Sequence, residues 1–236
     1  MAKKLGMKEG SATSLLPFVP DKKVYDGLNL AKLTNVEVGY IDVKEDSNWE
    51  LMKGKRVPRI VFHFEAAKDT HSRHYFHNFN VITNEEKEDV IAEGMFRSLQ
   101  HMMEVYGVDP KLISRVLTDA IDVTDRSADA LIATYEAFFT NVASAFNGTE
   151  DGKRPNVYKD KMVWLKLIRD QRNNGKLSLP FYPGTGFIEI YKANQKAAIR
   201  IDVSKNETIE EKSAVNPVTG APVDGVAGSA IPDALR

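Results

Sequence analysis

The 236-residue chain contains no cysteine. That excludes a disulfide framework, a thiolate-ligated zinc site and a cysteine nucleophile, and it suits a reducing compartment. Long apolar runs are missing as well. No stretch approaches the ~18 consecutive apolar residues that span a bilayer. The opening "MAKKLGMKEGSATSLLPFVP" has lysines but no continuous apolar core, so no secretory signal and no membrane association are expected. The run "PGTG" at 183–186 lacks the Lys-Ser/Thr ending of a phosphate-binding loop, and no G-x-S-x-G occurs. Ser, His and Asp are scattered without a catalytic frame, so neither an enzyme nor a bound cofactor is expected.

Four of the five histidines cluster as His63, His71, His74 and His77. The spacing invites a metal reading, since imidazole is a common ligand. On an extended strand, however, His74 and His77 point to opposite faces, and His71 falls in a polar turn. No metal site is expected from them.

Net charge is close to zero, at -1, but it is segregated. Residues 84–151 hold 14 acids against 5 bases, and the last stretch, 204–236, holds 5 acids against 3. The remainder is therefore strongly cationic, which hints at a basic binding body beside acidic appendages. The competing reading is that helices simply collect acids on their wet faces.

Residues 1–32 carry Gly, Pro and Lys with little periodicity and read as a flexible arm. "VEVGYIDV" (36–43), "VPRIVFHFEA" (57–66) and "YFHNFNVI" (75–82) follow as three strands of a meander, the second alternating cleanly. The period then changes. Thr83-Asn84 and a crowd of acids open a helix that Gly107 closes, Asp109-Pro110 opens a second, and "SADALIATYEAFFTNVASAFNG" forms a third. Phe138-Phe139 and Met102-Met103 belong to helix core or to a partner-facing seam. Strand character returns at Met162–Ile168, and Asn174-Gly175 marks a hairpin turn before "KLSLPFY", "GFIEIY" and "AAIRIDV". Residues 204–236 lack apolar periodicity and read as a disordered tail.

Three strands, helices, then more strands predict an α+β chain. The order is that of an OB-like five-stranded barrel over 33–203, with an enlarged helical insertion (84–151) between strands three and four. Other mixed sheets share that order.

Alternation across the last strands separates two faces. Val163, Leu165, Leu167, Ile188, Ile190, Ile199 and Ile201 fall on one, and Trp164, Lys166, Phe187, Tyr191 and Arg200 on the other. Such a face suits stacking on bases, with cations for the backbone. The alternative is that the helical insertion covers it. The run "VWLKLIRDQRNNGKLSLPFYPGTGFIEIY", with "GKRVPRIVFHFEA" upstream, resembles phage-encoded single-stranded DNA-binding proteins of OB-fold type. The resemblance implies non-catalytic, sequence-independent binding of single-stranded DNA in replication or recombination, within the host cytoplasm. Replication or recombination proteins, and further copies of the chain, are the implied partners. The ending "SAIPDALR" departs from the acidic, apolar tip with which many such proteins recruit partners. Trp164, Phe181, Tyr182, Phe187 and Tyr191 are the expected stacking residues. Lys53, Lys55, Arg56, Arg59, Lys166, Arg169, Arg172, Lys176 and Arg200 are the expected backbone contacts. Two other functions fit less of the sequence: a virion structural or assembly protein using the helical insertion for oligomer contacts, and a nuclease or recombination accessory that binds duplex.

Overall fold

The computed structural model describes residues 3–5, 28–66, 74–149, 151–170, 176–179 and 186–199. It is an α+β arrangement. Among the described residues the strands are β1 (Lys4–Leu5), β2 (Leu28–Asp42), β3 (Arg56–Ala66), β4 (His74–Asn80), β5 (Ile121–Asp122), β6 (Met162–Lys166), β7 (Ile168–Asp170), β8 (Lys176–Ser178) and β9 (Ile188–Ile190). Three helices, α1 (Glu88–Tyr106), α2 (Pro110–Leu117) and α3 (Ala128–Asn147), lie between β4 and β6 apart from the short β5. The expected helix count and placement are found. The central sheet is five-stranded and antiparallel, in the order β4-β3-β2-β6-β9.

The helix boundaries follow from local chemistry. Asp109 caps α2 by accepting from the amides of Lys111 and Leu112, with Pro110 in the first turn where its missing N–H costs nothing. Ser127 caps α3. Asn84 caps a short 3-10 turn that leads into α1. Gly107 ends α1 in the left-handed region, which a side chain would disfavour.

The first long strand differs from its expectation. It begins at Leu28 rather than Val36, so residues 28–32, read as part of an arm, belong to the sheet. A bulge between Leu33 and Asn35 is the reason. Thr34 is the extra residue, and its hydroxyl donates to the carbonyl of His63 at 3.0 Å. The bulge restores register so that Ala31, Leu33, Val36 and Val38 all face one way. The arm itself is tied in at Lys4–Leu5, which pairs with Ile121–Asp122 of the helical segment. Lys3 adds an ion pair to Glu88 at 2.8 Å.

The stretch 162–190 is also more elaborate than one hairpin. β9 returns to pair with β6, with Leu165 opposite Ile188. Between them β7 and β8 form a separate two-stranded ribbon, with Ile168 opposite Ser178. Residues 197–199, expected to open another strand, are not in one. Ala198 and Ile199 are tied instead to Glu189, whose carboxylate accepts from their amides at 2.6 and 3.1 Å. Residues 204–236 lie outside the described residues.

The helices cover one face of the sheet. Residues paired across neighbouring strands point to the same side. Ala31, Leu33, Val36, Ile60, Phe62, Phe64, Phe79, Val163, Leu165 and Ile188 therefore share a side, and all belong to one apolar cluster with α1 and α3. The rings of Phe62 on β3 and Phe146 on α3 meet edge-on at 5.4 Å, and Tyr106 of α1 closes on Phe146 at 5.9 Å. Met102, Met103, Phe138 and Phe139 are buried in this core, so they offer no seam to a partner.

Candidate functional site

The opposite face of the sheet carries a different set of side chains. Register places Phe76, Asn78 and Asn80 of β4 there, beside Arg59, Val61, His63 and Glu65 of β3. Lys32, Asn35 and Glu37 of β2 and Met162 and Trp164 of β6 continue the row, with Glu189 of β9 at the far side. Among the described residues no helix packs on this side.

Aromatic rings stand at two places on it. Phe76 is 56% exposed, an unusual state for a large apolar side chain on a sheet. Its ring meets that of His63 edge-on at 4.9 Å. Near the other margin Trp164 and Tyr191, both half-exposed, form an edge-on pair at 5.8 Å. Tyr191 is positioned by its backbone amide, which donates to the carbonyl of Met162 at 2.9 Å. The Trp164 indole N–H is enclosed without a hydrogen-bond partner, so the ring is held by packing. Three strand spacings of about 4.8 Å separate β4 from β6, which puts the two stations about 15 Å apart.

Cations lie between and around the rings. Lys32 is exposed and Arg59 is half-buried, and neither is in an ion pair among the described residues. The loop joining β2 to β3 is less free. Lys53 is paired with Glu50 at 2.8 Å and Lys55 with Asp129 of α3 at 2.9 Å, while the Arg56 guanidinium sits 4.4 Å from the Tyr40 ring centroid. The face also holds carboxylates. Glu65 is exposed, Glu37 is paired with His63 at 2.9 Å, and Glu189 is satisfied by backbone amides.

Two expected contact residues are corrected. Phe187 is 2% exposed and packs edge-on against His101 of α1 at 5.1 Å. The strand begins only at Ile188, so alternation does not extend to position 187. Lys166 is fully buried at the end of β6, just before the chain leaves the sheet for the ribbon. Neither side chain reaches a ligand on the surface. Arg169 and Lys176 take register positions on the β7–β8 ribbon rather than on the five-stranded sheet. Phe181, Tyr182, Arg172 and Arg200 lie outside the described residues.

Phe76 is the residue that the sequence reading passed over, although the alternation of "YFHNFN" places it with Asn78 and Asn80 rather than with Tyr75, His77 and Phe79. Of the clustered histidines, His63 lies on the open side and bonds Glu37, whereas His77 faces the helices. Burial pushes the His77 imidazole down to about 4. Among the described residues no group of three His, Asp or Glu side chains converges on a common point. No described helix is long and apolar enough to cross a membrane. No protein-family model, no curated protein and no solved structure matches this chain.

Proposed function

We propose that the chain binds single-stranded DNA, without catalysis, across the helix-free face of its five-stranded sheet. The observation that carries this reading is the placement of Phe76 and the Trp164–Tyr191 pair on that one face, with Lys32 and Arg59, which form no ion pair among the described residues, beside them. Apolar rings left exposed on a sheet lose the stabilisation of burial, and a strand of bases supplies a partner for them at ~1–3 kcal/mol per stacked base. Arg and Lys add the salt-dependent attraction to phosphate.

The topology supports the reading. The first long strand is central and pairs with both the second and the fourth, and the fifth lies beyond the fourth. That order is the one an opened OB sheet has. In OB folds the face of strands two and three and the loops 1–2 and 4–5 meet oligonucleotides. The corresponding segments here are β3 and β4, with Arg59, His63 and Phe76, the loop with Lys53 and Lys55, and the segment containing the β7–β8 ribbon.

A fluorescence-anisotropy titration with labelled d(T)20 tests the proposal. Saturable binding that weakens with salt supports it. Absence of binding at low salt to d(T)20 and to mixed-sequence single strands overturns it.

A further inference from the structure

We propose that the centre of this face reads a base, and that Glu37 selects guanine there; the inference rests on the single-strand binding proposed above. Glu37 is a carboxylate, 51% exposed at its side chain, in the middle of a surface that has to receive a polyanion. It is fixed from two directions. Nε2 of His63 donates to Oε1 at 2.9 Å, since an ionised carboxylate can only accept, and Nδ2 of Asn35 donates to Oε2 at 3.0 Å. The His63 ring is packed in turn against the exposed Phe76. Phe76 stands opposite His63, and Glu37 lies diagonally from His63 on β2, opposite Val61, so the three step across β4, β3 and β2 over two strand spacings.

A phosphate is repelled at this point, so the backbone of a bound strand runs beside it, toward Arg59 and Lys32. A base edge then lies over Glu37. An ionised carboxylate has about four lone-pair sites. The protein engages one on each oxygen, which leaves one on each for a ligand. Guanine alone among the DNA bases presents two adjacent donors, N1–H and the N2 amino group, on its Watson–Crick edge. Thymine offers one N–H between two carbonyl oxygens. Cytosine and adenine offer one amino group beside a ring nitrogen whose lone pair faces the carboxylate. Parallel bonds to guanine use both free sites, while each other base brings a repelling acceptor to one of them. Orientation by His63 and Asn35 means that the carboxylate loses little freedom on binding.

The test measures affinities of the full chain for labelled d(TG)10, d(TC)10, d(TA)10 and d(T)20 in a lithium buffer, which disfavours guanine quadruplexes. The wild type is expected to bind d(TG)10 tighter than the other three by about tenfold, the order of discrimination a good bidentate contact gives. In Glu37→Gln and Glu37→Ala the preference disappears, while affinity for d(T)20 is kept or improved because a negative charge has gone. Equal wild-type affinity for all four strands overturns the role of Glu37 and leaves the binding proposal standing. A guanine preference that survives in Glu37→Gln overturns it too, and Glu37→Gln decides if Glu37→Ala does not fold. If no strand binds, the underlying proposal fails and this one fails with it.

Discussion

Trp164 and Tyr191 meet edge-on with ring centroids 5.8 Å apart and planes at 66°, one on β6 and the other just past β9. Both keep exposed surface, so neither is part of the helix-covered core. Trp164→Ala and Phe76→Ala are each expected to weaken single-strand binding by ~1–3 kcal/mol. Their thermal midpoints should move little. Tryptophan fluorescence gives a second reading, because Trp49 is held away from this face by its indole N–H donating to Thr83 at 2.7 Å. Quenching on titration should vanish in Trp164→Ala. A variant that unfolds, with affinity per folded molecule unchanged, would refute the stacking role.

Phe187 should show the reverse pairing. It is buried against His101, so Phe187→Ala opens a cavity at the junction of α1 and β9. The expected loss is about 3–5 kcal/mol of stability. Affinity of the molecules that remain folded should equal that of the wild type. Denaturant melts and titration of the same preparation check both halves.

Salt dependence separates the cations that form no ion pair among the described residues from the engaged ones. Log affinity for d(T)20 should fall linearly with log salt, by about 0.7 per phosphate contact on a single strand. Arg59→Ala is expected to reduce that slope by about one contact's worth. Lys55→Ala should change it less, because Asp129 already holds Lys55 at 2.9 Å and must be displaced first. Equal slopes in all three proteins would show that Arg59 does not meet the backbone.

Much of this arrangement was legible in the sequence, and its misses have physical causes. Helix ends were readable because caps are local: Asp109-Pro110, Asn84 and Gly107 act within a turn of themselves. The first half of β2 was hidden because the bulge at Thr34 breaks the period of two on which strand reading depends. Pairing of Leu165 with Ile188 spans the whole β7–β8 ribbon, and no short-range pattern announces such a contact. Burial of Phe187 was missed because alternation was extended one residue past the end of the strand. Phe76 was legible from its neighbours, because the alternation of β4 sets it with Asn78 and Asn80. The Glu37–His63 pair depends on register between two strands and on the bulge, so it required the fold.

Gly148 closes α3 at φ 82° and ψ -159°, and a β-carbon there would lie 2.2 Å from the carbonyl oxygen of Arg154 and 2.7 Å from the carbonyl carbon of Pro155. Both contacts are with backbone, which cannot swing away as a side chain can. Gly148→Ala is expected to cost at least ~3 kcal/mol, backbone strain and displacement together. Gly152, at φ 71° with open space around its would-be β-carbon, is the control. Gly152→Ala should cost only the ~1–2 kcal/mol of the left-handed conformation itself. Urea melts of the two variants measure the difference, and equal losses would show that the 148–156 segment yields easily.

Acidification should destabilise the fold through His77 and His101, which lie between the sheet and the helices. Burial pushes His77 down to about 4 from its ordinary value of 6.5. Burial also lowers His101, with Glu104 and a backbone bond at Ile188 opposing it in part. Between pH 6.5 and 4 the unfolded chain binds a proton at position 77 that the folded chain refuses. Stability therefore rises with pH through that window and is lost as pH falls through it. His77 is half-buried, so residual solvent moderates the size of the effect but not its sign. His77→Phe, which keeps an aromatic ring beside Phe79 and removes the titration, should flatten the acid limb of a stability-against-pH curve measured by urea unfolding. His101 contributes to the slope that remains, in the same direction. An acid limb as steep in His77→Phe as in the wild type would mean that the imidazole is protonated in the folded state and that position 77 is wetter than its place on the helix-facing side of the sheet implies.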